Sequence, residues 1–226
     1  MKIVKMENVT VTDVHFAPPP APKYRVFEGR RRPDAEQEIV DADMRLASIQ
    51  DLMQFRLDAL ESGFEPAINQ AWNNWYDSNT WIAYWAGKVK IGEGFLMSKN
   101  PQLQNRGLVL TEAQFDNLTG VTFTRLDLEK AGVDKPLTQT QASIHPVWKT
   151  VGGSVLERYV PVEFKKHNLI GAMGVYLAPE LAVPTQRPLV LAGGNGWSDL
   201  IAGRNLNFSA RLVGVRKGAL EERVAK

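Results

Sequence analysis

The sequence predicts an α+β fold, in which a long N-terminal amphipathic helix precedes a mostly antiparallel β region with short helices. Apolar residues recur at spacings of three and four over residues 34–62, which is the period of a helix. Apolar and polar residues alternate over residues 88–97 and 107–128, which is the period of a strand. A proline-rich stretch near the N-terminus indicates an extended arm, residues 1–33, ahead of one globular domain, residues 34–226.

The arm combines a strand-like segment with a stiff spacer. Val9, Val11, Val14 and Phe16 nearly alternate with polar residues, as they would in an extended strand. Residues 17–22 are rich in proline, which lacks a backbone N–H and favours an extended polyproline conformation. We expect this strand either to pair with the sheet edge of another subunit or to fold back on its own domain.

The long helix is predicted over residues 34–62. Carboxylates crowd its first turns, where the helix dipole favours negative charge, and Gly63 is placed to end it. Arg30, Arg31 and Arg32 precede the helix and offer complementary charge to the acidic helix of a neighbouring copy. The apolar stripe of this helix consists of Ile39, Ala42, Leu46, Ile49, Met53 and Leu60.

Beyond this helix, short helices and strands are predicted to alternate. Asparagine, serine, glycine and proline mark the turns, and Thr138 is placed to cap one helix. Strands that follow one another through short turns are typical of antiparallel pairing. The predicted helices cover residues 66–76, 139–150 and 154–167, and the predicted strands cover residues 81–85, 88–97, 107–128, 172–177, 188–192 and 206–215.

Aromatic residues are concentrated in residues 72–85, which hold four of the six tryptophans. On one interpretation these rings form a buried core, because aromatic side chains bury large apolar areas. On the other they are exposed and stack on a sugar or another small ligand, with Asn73 and Asn74 among the polar residues that hydrogen-bond it. The candidate ligand-binding residues are Trp72, Trp75, Tyr76, Asp77, Trp81, Tyr84, Trp85, Trp197 and Asp199.

No residue pattern indicates a catalytic, metal or cofactor site. The chain has no cysteine, which excludes a disulfide framework, a thiolate zinc site and a cysteine nucleophile. His15, His145 and His167 are far apart in the sequence, and the glycine-rich residues 193–196 lack the Gly-Lys-Ser/Thr of a phosphate loop. Only Asp77 and Asp199, each close to a tryptophan, form a candidate carboxylate pair for a hydrolase, so the sequence favours a protein that is not an enzyme.

Charge and hydropathy constrain the partners. A formal net charge of +2 is too small to indicate a polyanionic partner. Residues 30–32 and the basic C-terminus leave nucleic acid as a minor hypothesis. No segment has the roughly 18 consecutive apolar residues of a membrane span or the apolar run of a signal peptide. We therefore expect no membrane partner, and a location in the cytoplasm or within a soluble assembly.

Three functions follow from these observations. The first is a structural or assembly protein, without enzymatic activity, that associates with copies of itself or with a larger complex through its N-terminal arm and long helix. The second is a glycan-binding or small-ligand-binding protein that uses residues 72–85. The third is a hydrolase of unrecognised type. The sequence favours the first, because a strand, a proline spacer and an acidic helix follow one another at the N-terminus.

Overall fold

A computed structural model defines the elements of the chain. It describes residues 23–95, 101–104, 106–194, 198–202, 206 and 209–217, together with the backbone of residues 5–6, 9–10, 12–14 and 197. The helices are α1 (Arg32–Asp41), α2 (Ile49–Ser62), α3 (Glu65–Trp72), α4 (Glu112–Asn117), α5 (Arg125–Ala131), α6 (Gln139–Ile144), α7 (Pro146–Gly152) and α8 (Leu156–His167), with a 3-10 turn at Gly153–Val155.

The strands are short except at the centre of the sheet. They are β1 (Lys5–Met6), β2 (Val9–Thr10), β3 (Thr12–Val14), β4 (Tyr24–Arg31), β5 (Met44–Leu46), β6 (Tyr76–Trp85), β7 (Lys88–Gly92), β8 (Leu103–Gln104), β9 (Gly107–Val109), β10 (Val121–Thr124), β11 (Val175–Tyr176), β12 (Thr185–Gly194), β13 (Trp197–Ile201) and β14 (Ser209–Arg216).

Twelve of these strands form one mixed sheet. Its main order is β11-β13-β12-β6-β14-β4-β3, and the remaining strands branch from it. The two longest strands, β6 and β12, pair antiparallel at its centre, whereas β14 and β6 pair parallel, as do β11 and β13. The pairing of β4 with β14 brings residues from both ends of the chain into neighbouring strands.

Apolar clusters cover both faces of the sheet. The largest cluster joins α2, α3, α7 and α8 to the central strands, and includes the fully buried Phe55, Trp72, Trp148 and Tyr159. A second cluster packs α1 against β5 and β14, and a third surrounds Trp81. Because the sheet is covered on both faces, its central strands are buried along most of their length.

The predicted long helix over residues 34–62 is wrong. The chain forms α1, reverses at Asp43 in the left-handed region (φ 54°), forms β5 against β14 and begins α2 after Ser48. Met44 and Leu46 point into the second apolar cluster from a strand, so the three-and-four apolar spacing continues through residues that are not helical. The Ser48 side chain accepts a hydrogen bond from the Asp51 amide, and Asp51 in turn accepts from the Ser48 amide. This capping box starts a new helix.

The predicted fold class is therefore wrong as well. The protein is organised around a large mixed sheet with short helices, not around a long N-terminal helix. Among the described helices, none is long and apolar enough to cross a membrane.

The N-terminal segment pairs within its own chain. Strand β3 is antiparallel to β4, with Val14 opposite Tyr24, and β4 lies inside the sheet. Tyr24 and Val26 are buried, so the sheet begins before the predicted boundary at residue 33. The side chains of Val9 and Val14, and the whole of Val11 and Phe16, lie outside the described residues. The division into an arm and a domain stays a prediction.

The arginine cluster, residues 30–32, lies where β4 meets α1, and two of its members form ion pairs nearby in the sequence. Arg30 pairs with Glu38 at 3.0 Å, and the buried Arg32 pairs with Glu36 at 2.6 Å. Arg31 is exposed. Two of the three arginines thus meet the acidic residues of their own chain.

Replacement of Ser48 by alanine tests the start of α2. Ser48→Ala removes the oxygen that caps α2, which we expect to cost about 1 kcal/mol and to lower Tm by about 2–4 °C in a domain of this size. Thr111→Ala removes the same type of cap from α4, whose one buried residue is Phe115, and should lower Tm by less than half as much. Equal effects in thermal denaturation would contradict this account of the helix break.

Candidate functional site

The structure separates the candidate aromatic residues by exposure. Trp72, Tyr76, Trp81 and Tyr84 are buried to 3% exposure or less and pack in the core. Trp85 is partly buried, and the Trp197 side chain lies outside the described residues. Trp75 differs from these residues, because 38% of it is exposed. The core interpretation thus describes most of these rings, and Trp75 is the most exposed of the described candidates.

Trp75 lines a cavity of about 630 Å³ on the surface. The turn from α3 to β6, residues 73–75, forms one wall, because α3 ends at Trp72 with Asn73 as its C-cap and β6 begins at Tyr76. The paired strands β4 and β14 form the other wall. The residues that line the cavity are Glu28, Gly29, Asn73, Asn74, Trp75, Ser209, Ala210 and Arg211.

A β-bulge shapes the second wall. Arg211 lies opposite Glu28 and Ala210 lies opposite Arg30, so Gly29 is the extra residue in β4. Gly29 has φ 78°, a left-handed conformation that favours glycine. Bulges of this kind bend a strand and redirect its side chains. Here the bulge lies between Glu28 and Arg30, at the point where the strand pair borders the cavity.

Opposite charges are paired along the cavity. Nε of Arg211 donates to Oε2 of Glu28 at 2.5 Å, and Nη1 of Arg211 donates to Oδ1 of Asn74. Nδ2 of Asn74 donates in turn to the carbonyl oxygen of Gln70 at 2.8 Å. Glu28 and Arg211 are each about one-third exposed. The lining therefore offers donors and acceptors without a net charge.

A buried arginine hydrogen-bonds the turn that carries Trp75. Arg56 of α2 is fully buried, and its Nη2 donates to the carbonyl oxygen of Asn74 at 3.2 Å. The same guanidinium bonds Tyr159 of α8 and Ser198 of β13. In the sequence, Arg56 stands out because it interrupts the apolar stripe of α2.

Some residues that line the cavity lie in the aromatic segment of the sequence, and others do not. Asn73, Asn74 and Trp75 came from the aromatic segment, whereas Glu28 and Arg211 were not among the candidates. Those two residues are 183 positions apart in the sequence and meet only because β4 pairs with β14. Strand register, which brings them together, is not visible in composition or spacing.

The candidate carboxylate pair does not line the cavity. Asp77 lies on β6 and Asp199 on β13, with β12 between them, and both side chains are buried. Burial raises the pKa of Asp199 to about 6, and the Gly174 amide, which donates to Oδ1 at 2.6 Å, partly offsets this rise. Asp199 is thus a buried side chain whose carboxylate is hydrogen-bonded by the Gly174 amide.

The histidines and glycine-rich residues have local roles where they are described. His145 caps α7 by accepting from the Val147 amide, and His167 lies 3.9 Å from Glu163. Gly193 and Gly194 end β12, while His15, Asn195 and Gly196 lie outside the described residues. Within the described part of the chain, no group of three His, Asp or Glu side chains is arranged to hold a metal ion.

Comparison with known proteins identifies the fold. A solved structure described as the accommodation of massive sequence variation in Nanoarchaeota by the C-type lectin fold matches with a TM-score of 0.67. Sequence identity is 16%, and the match covers 85% of this chain and 97% of the other. No family model and no curated protein matches the sequence. The chain has a C-type lectin-like fold, and not the predicted fold with a long N-terminal helix.

Replacement of Asp199 by asparagine tests its burial. Because the folded carboxyl has a pKa of about 6 against an ordinary value of 3.8, the folded state binds more protons than the unfolded state between these values. Asp199 therefore lowers the free energy of unfolding as pH rises through this window. Asp199→Asn keeps an oxygen for the Gly174 amide but has no charge, so the variant should lose less stability than wild type between about pH 4 and pH 7.

Urea denaturation at several pH values measures this difference. The free energy of unfolding should fall more steeply with pH for wild type than for the variant between about pH 4 and pH 7, and the two curves should run parallel above about pH 7. Parallel curves over the whole range would contradict the raised pKa.

Proposed function

We propose that this protein binds a saccharide in the cavity lined by Trp75, Asn73, Asn74, Glu28 and Arg211. The observation that supports this proposal most directly is the exposed indole of Trp75 beside two amide side chains and a paired carboxylate and guanidinium. An indole face packs against the C–H face of a sugar ring, while amides and charged groups hydrogen-bond its hydroxyls.

The size of the cavity fits such a ligand. Small-molecule sites in proteins commonly enclose about 300–1,000 Å³, and this cavity has a volume of about 630 Å³. That space accommodates one or two sugar rings. It opens on the surface, which leaves room for a longer chain to continue outside it.

The charge pattern favours a neutral, hydroxyl-rich ligand over an anion. Glu28 compensates the positive charge of Arg211 at 2.5 Å, so an anion would meet a carboxylate beside the only guanidinium among the lining residues. A hydroxyl group both donates and accepts, and it can therefore bond either member of the pair without disrupting it. The side-chain amides of Asn73 and Asn74 add further hydrogen-bond donors and acceptors.

The C-type lectin-like fold is compatible with this proposal. A fold alone does not assign a ligand, because unrelated functions occur on the same architecture. The proposal therefore depends on the lining of the cavity, and the fold explains how residues from both ends of the chain reach it.

The two other functions considered from the sequence have less support. An assembly role was predicted to use a long helix that is absent, and Arg30 and Arg32 pair within their own chain. Association with other copies through the N-terminal arm, residues 1–33, stays a prediction. A hydrolase was predicted to use Asp77 and Asp199, and neither lines the cavity.

Removal of the exposed indole tests the proposal. The wild-type protein is first screened on an array of immobilised neutral and acidic oligosaccharides, and the strongest saccharide is then titrated by calorimetry. Trp75→Ala should weaken binding at least about tenfold, which corresponds to about 1.4 kcal/mol, because the sugar loses its stacking surface. Tm is measured for both proteins, because the buried part of the Trp75 ring also contributes to stability.

Phe64→Ala is the matched control. Phe64 is another exposed aromatic residue, 51% exposed, at the opposite end of α3 from the cavity. Its replacement should leave the affinity at the wild-type value. Absence of any saccharide bound by wild type, or equal affinities for wild type and Trp75→Ala, would overturn the proposal.

A further inference from the structure

Arg56 has more hydrogen bonds to other elements than a residue that only fills the core would need. Its guanidinium donates to the carbonyl oxygens of Ala71 and Asn74, at 3.0 Å and 3.2 Å. It also donates to the hydroxyls of Tyr159 and Ser198, at 2.8 Å and 2.6 Å. One buried side chain therefore joins α2 to the end of α3, to α8 and to β13.

Asn74 connects this guanidinium to the cavity. Its carbonyl oxygen accepts from Arg56, its side-chain oxygen accepts from Arg211, and its side-chain nitrogen donates to Gln70. Trp75 is the next residue along the chain. Arg56 thus bonds the backbone of the turn on its buried side, and Arg211 bonds the Asn74 side chain on the cavity side.

We propose that Arg56 is a positioning residue for the cavity, and that its guanidinium fixes the turn of residues 73–75 so that Trp75 and Asn74 face the ligand. This inference rests on the proposed function, because it assigns Arg56 a part in the same site. Arg56 does not line the cavity, so it acts through Asn74. A wall that is held in place before binding loses less conformational freedom when the ligand binds.

Gly193 supports the same arrangement from β12. A Cβ atom at Gly193 would overlap Nη2 of Arg56 and the carbonyl oxygen of Trp72, and would lie 2.8 Å from the carbonyl oxygen of Asn74. Glycine is the one residue without a Cβ, so it alone allows the strand to approach this closely. Gly193→Ala therefore disturbs the contact between Arg56 and Asn74 without altering either residue.

Lysine is the informative replacement for Arg56. Burial raises the pKa of Glu163 and the positive charge of Arg56 lowers it, so the two groups are electrostatically linked. Arg56→Lys keeps a positive charge near this carboxylate. A lysine ammonium, however, has three donors on one nitrogen and does not span acceptors on four residues as a planar guanidinium does.

Hydrogen exchange of the full-length chain tests the inference without a ligand. The amide of Asn73 donates to the carbonyl oxygen of Asn69 at 3.1 Å, and its exchange reports on the end of α3 and the turn. We expect Arg56→Lys and Gly193→Ala each to raise this exchange about tenfold, because the turn opens more often. Exchange is followed by NMR or by mass spectrometry of the peptide that contains residues 70–76.

Two matched controls separate local from general destabilisation. Arg32 is also a buried arginine, 2% exposed, but it bonds Glu36 and Ser78 and stacks over Phe95 in another apolar cluster. Gly92 is another glycine without space for a Cβ, in this case against Trp81. Arg32→Lys and Gly92→Ala should both lower Tm. Once the exchange rate of Asn73 is corrected for the change in global stability, it should equal the wild-type rate in both variants.

A milder variant keeps the test decisive if Arg56→Lys does not fold. Tyr159→Phe removes one acceptor of Arg56 and retains the ring, which stacks on Trp72 at a centroid distance of 5.7 Å. It should raise Asn73 exchange by a smaller factor, about twofold to threefold. Wild-type exchange in Tyr159→Phe and Gly193→Ala, or an equal rise in the Arg32→Lys control, would overturn the inference.

Affinity measurements distinguish this inference from the proposed function. If a saccharide binds wild type, Arg56→Lys should weaken it about tenfold while Arg32→Lys does not. Raised exchange with unchanged affinity would overturn the positioning role and leave the saccharide site standing. Raised exchange in a protein that binds no saccharide would instead reject the proposed function.

Discussion

A buried guanidinium is destabilising by several kcal/mol unless its donors are bonded, and this requirement organises the centre of the molecule. The donors of the Arg56 guanidinium are bonded by acceptors on the end of α3, the following turn, α8 and β13. These elements come from distant parts of the chain, so the bonds form together only in the folded state. The Trp72 ring packs beside the guanidinium, with 5.6 Å between the guanidinium carbon and the ring centroid, and Arg56 is fully buried. The position of the cavity wall is therefore tied to the core.

The opposite wall depends on a different constraint, which is the register of β4 against β14. One extra residue, Gly29, places Glu28 beside Arg211 at the edge of the cavity. The ion pair is one-third exposed, and such pairs contribute at most about 1 kcal/mol to stability. Its main consequence is chemical, since it presents a donor and an acceptor together without a net charge. Arg211 then bonds Asn74 and joins the two walls.

Local signals in the sequence indicated residues with turn-forming and aromatic side chains, but they did not indicate the fold. Asparagine favours helix ends and turns, yet the helix predicted over residues 66–76 ran through Asn73 and Asn74, whereas α3 ends at Trp72. The break at Asp43 was missed, since Met44 and Leu46 continue the helical spacing from a strand. The pair Ser48 and Asp51 was the available signal for a new helix. Contacts such as Glu28 with Arg211 depend on strand register, which no local pattern specifies.

The most direct test of the account observes the tryptophans during binding. In ¹⁵N-labelled protein each indole N–H gives one signal, and Trp75→Phe identifies that of Trp75. On addition of millimolar glucose, galactose, mannose and N-acetylglucosamine in turn, the account predicts that at least one sugar shifts the Trp75 signal. The buried indoles of Trp72, Trp81 and Trp148 should stay unchanged. A sugar-dependent shift of another indole with Trp75 unchanged, or no shift with any of the sugars, would contradict a saccharide site at this cavity.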